Sequence, residues 1–327
     1  MKRKLNSVWI GTGLAAIALA GATSVSAQQA QETPLSMVNA LHTAFGEHHA
    51  RAVHTKGVVL EGTFTPAAEA KAIVKTPIFT GGTRPVIFRF SDFAGVPDLP
   101  DNDDGASPAG LGIKIKAADG DDFDIEANQH RDFITATFDE FAIFLRAVGA
   151  AGKGDTAPLG AFLASHPHAR QFLASRTYPV SFAEAKYFGV NSEKFTNAAG
   201  RSLYIRYQFV PRAGEQYLTP DARKAKSANY LQDEVVERLG HAPIVFDWYA
   251  QIAEKGDAIA DPSTAWPDTR RLVKLGTFTI TRQPADSAGV ARTLLFLPGQ
   301  PHPGVEPADP MLVMRNTAYP ISLGQRQ

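Results

Sequence analysis

The stretch Pro85-Val-Ile-Phe-Arg89-Phe-Ser91 reads as an apolar β-strand. Side chains alternate across a strand, so Arg89 and Ser91 share one face and Phe90 takes the other. An arginine turned inward needs an anion, and the carboxylate of a bound ligand would serve. A serine hydroxyl beside it can fix the tautomer of an imidazole. The alternative is a strand-edge arginine paired with Asp92 or Asp98.

Strand patterns spread outward from this segment. Val58 to Leu60, Thr63 to Thr65, Gly110 to Lys116, Asp122 to Ala127, Ser202 to Val210, Ile244 to Ile252 and Lys274 to Thr281 all qualify. Turn signals such as Gly81-Gly82, Asp103-Asp104-Gly105 and Asp119-Gly120 separate them. Helical spacing falls between, at Phe138 to Val148, Leu159 to Ala164, Ala169 to Leu173 and Tyr230 to Leu239. Thr33-Pro34 marks a helix start. The last helix, Leu312 to Tyr319, should stop at Pro320. Strands outnumber helices and do not alternate with them. This predicts an α+β protein, an antiparallel barrel or sheet with helices packed outside. With no repeat and no long linker, residues 28–327 are expected to form one domain. Gly152 to Asp155 and Gly299 to Asp309 are its loosest connectors.

Lys2, Arg3 and Lys4 precede an apolar run from Val8 to Ala20, and Ser24-Val-Ser-Ala27 follows. This is the pattern of a secretory signal peptide over residues 1–27, so export to a bacterial periplasm is expected. No later stretch is apolar enough to span a membrane. All 33 acidic residues lie after Ala27, whereas three of the 33 basic ones lie before it. The remaining chain is mildly acidic, with no basic stripe for nucleic acid. The absence of cysteine excludes thiolate-bound zinc, iron–sulfur clusters, cysteine nucleophiles and covalent c-type haem.

Four side chains carry the chemistry. His54 lies among Val53 and Val58, three residues after Arg51. A neutral imidazole in apolar surroundings is a proton acceptor ready to become a donor. Asn128 ends a strand; it is either a turn residue or an amide that binds a peroxide oxygen. Arg315 and Tyr319 are four apart on one helix and share a face. A tyrosine with an ordinary pKa of about 10 needs positive charge nearby to act as an anionic metal ligand. The alternative is an amphipathic tyrosine on a docked helix. Phe133, Phe138 and Phe141 could wall a flat cofactor or belong to an ordinary core. His48-His49 and His166-x-His168 lack acidic partners at metal-binding spacing. Gly110-x-Gly112 lacks the third glycine of a dinucleotide fingerprint.

Taken together, these segments resemble the small catalase-related peroxidases. Arg51, Val53, His54, Lys56 and Gly57 match the catalase active-site signature. Arg89-Phe90-Ser91 with Ala94-Gly95 matches its arginine–serine strand. Asp119-Gly120, Asp124, Ile125 and Asn128 match the segment that ends in the distal asparagine. Arg315 and Tyr319 match the proximal arginine and tyrosinate, and Arg326, seven residues on, matches a propionate-binding arginine. The resemblance runs from about Ala50 to Arg326. It implies a catalase-like β-barrel with peripheral helices, binding haem b (iron protoporphyrin IX).

It also implies roles. Tyr319 is the iron ligand; His54, Asn128 and Ser91 are catalytic. Arg51, Arg89, Phe141, Arg315 and Arg326 hold the cofactor. The expected reaction reduces hydrogen peroxide, with organic peroxides as a further class, using small organic donors; catalase activity is weaker. Departures fall at Glu47-His48-His49-Ala50, Ala109 and Pro320, and bear on substrate access and haem stacking. The long wrapping segments of full catalases are lacking, which should open the haem edge. Two alternatives stay open: a catalase-like lyase acting on fatty-acid hydroperoxides, where Val53 stands in place of threonine, and a non-catalytic exported barrel that carries a hydrophobic ligand.

Overall fold

Eight antiparallel strands close on themselves, and the closure follows from their pairing. The computed structural model describes residues 31–326; the expected signal segment, residues 1–27, lies outside them. In chain order come α1 (Pro34–Phe45), β1 (Gly57–Pro66), β2 (Arg84–Ser91), β3 (Gly110–Ile115), β4 (Phe123–Asn128) and α2 (Phe138–Gly152). Then follow α3 (Ala157–Ser165), α4 (Pro167–Ala174), β5 (Tyr187–Thr196), β6 (Ser202–Pro211), α5 (Pro220–Lys224) and α6 (Tyr230–Leu239). The chain ends with β7 (Ile244–Ile252), β8 (Leu272–Arg282), α7 (Ser287–Thr293), β9 (Val305–Pro307) and α8 (Pro310–Gly324). The strand order is β4-β3-β2-β1-β8-β7-β6-β5, with β4 returning to β5 through Asn128 and Phe188. The short β9 adds to the outside of β5. The predicted class is therefore the observed one.

Aromatic side chains fill the barrel. Trp248, Phe64, Phe88, Phe90, Phe246 and Phe278 are all fully buried. Trp248 stacks on Phe209 at 6.0 Å and 10°. A small barrel filled in this way is a packed core rather than a container. This corrects one expectation. Arg89 and Ser91 do share a face opposite Phe90, but Phe90 takes the interior and the two polar residues face outward. They are buried all the same, because helices cover that face.

The covering layer is built from capped helices. Thr33 and Ser36 exchange side-chain-to-backbone bonds of 3.1 and 2.8 Å at the start of α1. Thr137 and Glu140 do the same for α2. Met37, Val38 and Leu41 of α1 pack with Ala142 and Leu145 of α2 and Ala318 of α8. The start of α8 is fixed by Asp309. Its carboxylate accepts from Met311 N at 2.9 Å and from Asn191 Nδ2 at 2.7 Å. Asn191 lies where β5 slips register between Gly189 and Glu193. That bulge breaks the alternation, and β5 has no simple apolar pattern to betray it.

Helix α8 does not stop at Pro320; it runs on to Gly324. A proline removes one backbone bond from a helix interior, but tertiary contacts hold the turns beyond it. Ser322 Oγ accepts from Ala52 N at 3.4 Å, Gln325 bonds His42 Nε2 at 2.9 Å, and Arg326 Nη1 donates to the Leu294 carbonyl at 3.2 Å. Among the described residues no helix is long and apolar enough to cross a membrane.

Replacing Asp309 by alanine removes the cap of α8 and leaves Asn191 without its acceptor. We expect a loss of about 2 kcal/mol in a denaturant-unfolding measurement. A loss indistinguishable from zero would show that α8 is set by packing alone.

Candidate functional site

Two rows of residues cross the outer face of β2, β3 and β4. One is Ser91, Gly110, Asn128; the next is Arg89, Gly112, Glu126. The glycines at the centre of each row are required by what lies on them. A Cβ at Gly110 would meet the His54 ring at 2.6 Å, and one at Gly112 would meet Phe296 at 2.6 Å. The strands thus offer a flat floor with polar edges. Helices α1, α2 and α8 and the loop 294–297 roof it.

Between floor and roof is one cavity. It encloses about 1420 Å³ of space not filled by atoms, counting its open mouth. All nine residues singled out from the sequence line it: His54, Ser91 and Asn128; Arg51, Arg89, Phe141, Arg315 and Arg326; and Tyr319. They come from five separate segments, and the fold brings every one to the same space.

His54 sits in the left-handed region with φ of 56°, a conformation that costs energy for a non-glycine residue. Its Nδ1 lies 2.8 Å from the Asp92 carbonyl and 3.1 Å from Ser91 Oγ. The carbonyl can only accept, so Nδ1 carries the proton and Nε2 is left as the free base. Ser91 was the expected orienting group; the backbone of Asp92 is the closer one. Burial pushes the His54 pKa down to about 3, with help from Arg89. The imidazole is therefore neutral at any ordinary pH.

Asn128 makes the turn contact and also lines the cavity. Its Oδ1 accepts from His130 N at 2.7 Å, a turn contact, which leaves Nδ2 as a donor toward the cavity. Tyr319 and Arg315 approach from α8. Burial raises the Tyr319 pKa above that of a free phenol, Arg315 pulls it down, and Glu126 pushes it up again. Arginine alone does not ionise this phenol; a phenolate here would need a bound cation as well.

Three arginines form one wall. Arg51 and Arg326 both donate to the Leu294 carbonyl, and Arg89 donates to Thr55 O at 2.8 Å. Neither Asp92 nor Asp98 pairs with Arg89. Burial lowers all three arginine pKa values, and neighbouring arginines lower those of Arg89 and Arg326 further. The buried Nε of each has no partner. Guanidiniums gathered in this way call for anionic groups from a ligand. Phe133, Phe141 and Phe172 line the same cavity and supply apolar walls. A flat, apolar ligand with carboxylates at one edge and a cation that takes a phenolate fits these residues. Haem has that chemistry.

Two polar contacts of the site were not anticipated from the sequence. Glu126 accepts from Tyr319 Oη at 2.6 Å and Arg315 Nη1 at 3.3 Å. Strand alternation from Asn128 would have placed it on the same face. Asp92 entered only as a possible partner of Arg89; its contact with His54 is through a backbone carbonyl, which no side-chain pattern records.

The Asp92 carboxyl is buried, and neither oxygen has a partner. Lys56 is spent on Asp101 and the carbonyls of Leu99 and Ala228. Burial, then Asp101, pushes the Asp92 pKa up to about 8. Below pH 4 both the folded and unfolded states hold the proton. Between pH 4 and 8 the unfolded chain releases it and the folded one keeps it, so stability falls as pH rises. Asp92→Asn should therefore be more stable than the parent at pH 8, by roughly 1 kcal/mol or more, and equal to it near pH 4. Coincident unfolding curves for the two proteins at both pH values would refute this.

Comparison with known proteins agrees with the geometry. The family model described as catalase matches residues 41–326. The chain is 31% identical over 327 residues to the catalase-related peroxidase of Synechococcus elongatus, covering 97% of this chain and 96% of the relative. It is 32% identical over 302 residues to that of Mycolicibacterium paratuberculosis, covering 90% and 95%. A solved bacterial catalase superposes with a TM-score of 0.75 at 22% identity, over 85% of this chain and 57% of that one. A fungal catalase gives 0.76 at 19% identity, over 85% and 59%. The two solved structures establish the likeness of fold.

Proposed function

The chain belongs to the catalase family, and on that footing we propose that it is a haem-dependent peroxidase that reduces hydrogen peroxide at the cost of a small organic donor. The observation that carries this reading is the single cavity shared by His54, Asn128 and Tyr319. A carrier of hydrophobic ligands would need no strained, neutral histidine there.

We assign haem b to the cavity. It supplies the redox-active iron at which the peroxide O–O bond is cleaved. Tyr319 would hold the iron through its phenolate, with Arg315 beside it favouring the anion. Arg51, Arg89 and Arg326 would pair with the two propionates. Phe141 would lie against the ring.

The chain's own residues handle the peroxide proton. His54 Nε2 takes it from one peroxide oxygen and returns it to the other as the bond opens. The Asp92 carbonyl and Ser91 hold the ring so that Nε2 faces the cavity. Asn128 Nδ2 donates to the peroxide and aligns it. Two electrons and two protons from the donor complete the conversion of one peroxide to two waters. We favour organic donors over a second peroxide because the cavity walls are mostly apolar, and because the relatives similar over almost their full length are named peroxidases. Export through residues 1–27 is part of the same proposal.

The haem-loaded protein should oxidise a phenolic donor with hydrogen peroxide faster than it evolves oxygen. His54→Ala should lower that rate by roughly 10²–10⁴-fold without loss of bound haem. The pH profile of kcat/KM should show no acid limb between pH 6 and 7, since His54 stays neutral far below that range. Unchanged turnover in His54→Ala would remove the histidine from the mechanism. Oxygen evolution outpacing every donor tested would make the enzyme a catalase.

A further inference from the structure

Glu126 is the acidic side chain among the cavity-lining residues, and the mechanism above does not use it. It lies on β4 opposite Gly112, with Arg89 on the far side of that glycine. One oxygen, Oε2, accepts both from the phenol of Tyr319 at 2.6 Å and from Arg315 at 3.3 Å. Its charge also reaches Arg51, Arg89 and Arg326. It thus touches or faces every group assigned to iron and propionates.

We propose that Glu126 tunes cofactor uptake by competing with haem for the same partners, Tyr319 Oη and the arginine cluster. The inference rests on the haem reading of the cavity. A phenolic oxygen offers a partner limited directions, along its hydrogen or its lone pairs. A carboxylate oxygen seated 2.6 Å away along the hydrogen takes the approach through which Oη would meet a metal. When Tyr319 engages iron, Glu126 must withdraw. The arginines are contested in the same way. Two propionates and Glu126 make three carboxylates facing Arg51, Arg89 and Arg326, so each guanidinium drawn to Glu126 is one the propionates must win.

A charge-assisted hydrogen bond that must be given up weakens binding by roughly ten- to a hundredfold. Removing the competitor should therefore tighten haem binding, in proportion to what is removed. Glu126→Gln keeps an acceptor oxygen and loses the charge. Glu126→Val loses both.

The test titrates the full chain, prepared without haem, with haemin. The Soret absorbance gives the dissociation constant and the uptake rate, and circular dichroism checks that each variant is folded. The expected order of affinity is Val above Gln above the parent, with at least tenfold between the extremes. Equal affinities, or variants that bind haem more weakly than the parent, overturn the proposal; in the second case Glu126 helps to hold the cofactor. If Glu126→Val fails to fold, the nearly isosteric Glu126→Gln decides alone. If the parent protein takes up no haem at all, the functional reading falls and this inference with it. If the parent binds haem and the variants bind it no better, only the inference falls.

Discussion

A full barrel is the constraint on which everything else depends. Trp248 and the phenylalanines packed around it occupy the interior of the eight strands. A binding site must therefore be built on the outer face, where β2, β3 and β4 carry two glycines, and must be roofed by helices. Because each strand alternates, the residues that fill the barrel and those that face the cavity are interleaved along one segment. Phe88 and Phe90 stabilise the interior, while Arg89 and Ser91 between and beside them serve the site. Core and chemistry are thus coupled at the level of single strands: a register slip of one residue would exchange them.

The site's electrostatics follow from the same burial. Desolvation depresses His54 and keeps it a base, raises Tyr319 and keeps it a phenol, and leaves three guanidiniums short of partners. Each of these is costly in isolation. Together they suit a ligand that would bring a cation near α8 and anionic groups near Leu294. Asp309 and the β5 bulge, far from the chemistry in sequence, matter because they fix the start of the helix that brings Tyr319 into place.

Much of this was legible in the sequence, for identifiable reasons. Seven of the eight barrel strands carry plain apolar alternation or apolar runs. The eighth, β5, is broken by its bulge and by Asn191, Ser192 and Glu193. Pro320 reads as a stop, yet contacts from Ala52, His42 and Leu294 carry α8 past it; local preference yielded to packing that no local pattern records. The direction of Arg89 was misjudged because alternation tells which residues share a face, not which face is inside. All nine expected site residues line the cavity, since their spacing repeats a family pattern. Glu126 was passed over although it stands two residues from Asn128, and the Asp92 carbonyl has no sequence signature at all.

The central proposal is that one haem would sit in the cavity shared by Tyr319 and His54. The crystal structure of the haem-loaded protein tests it most directly. The account predicts iron bound to Tyr319 Oη, His54 and Asn128 over the other face of the ring, and both propionates against Arg51, Arg89 and Arg326. Haem lodged elsewhere, or held in this cavity with His54 and Tyr319 on the same side of the ring, would contradict it.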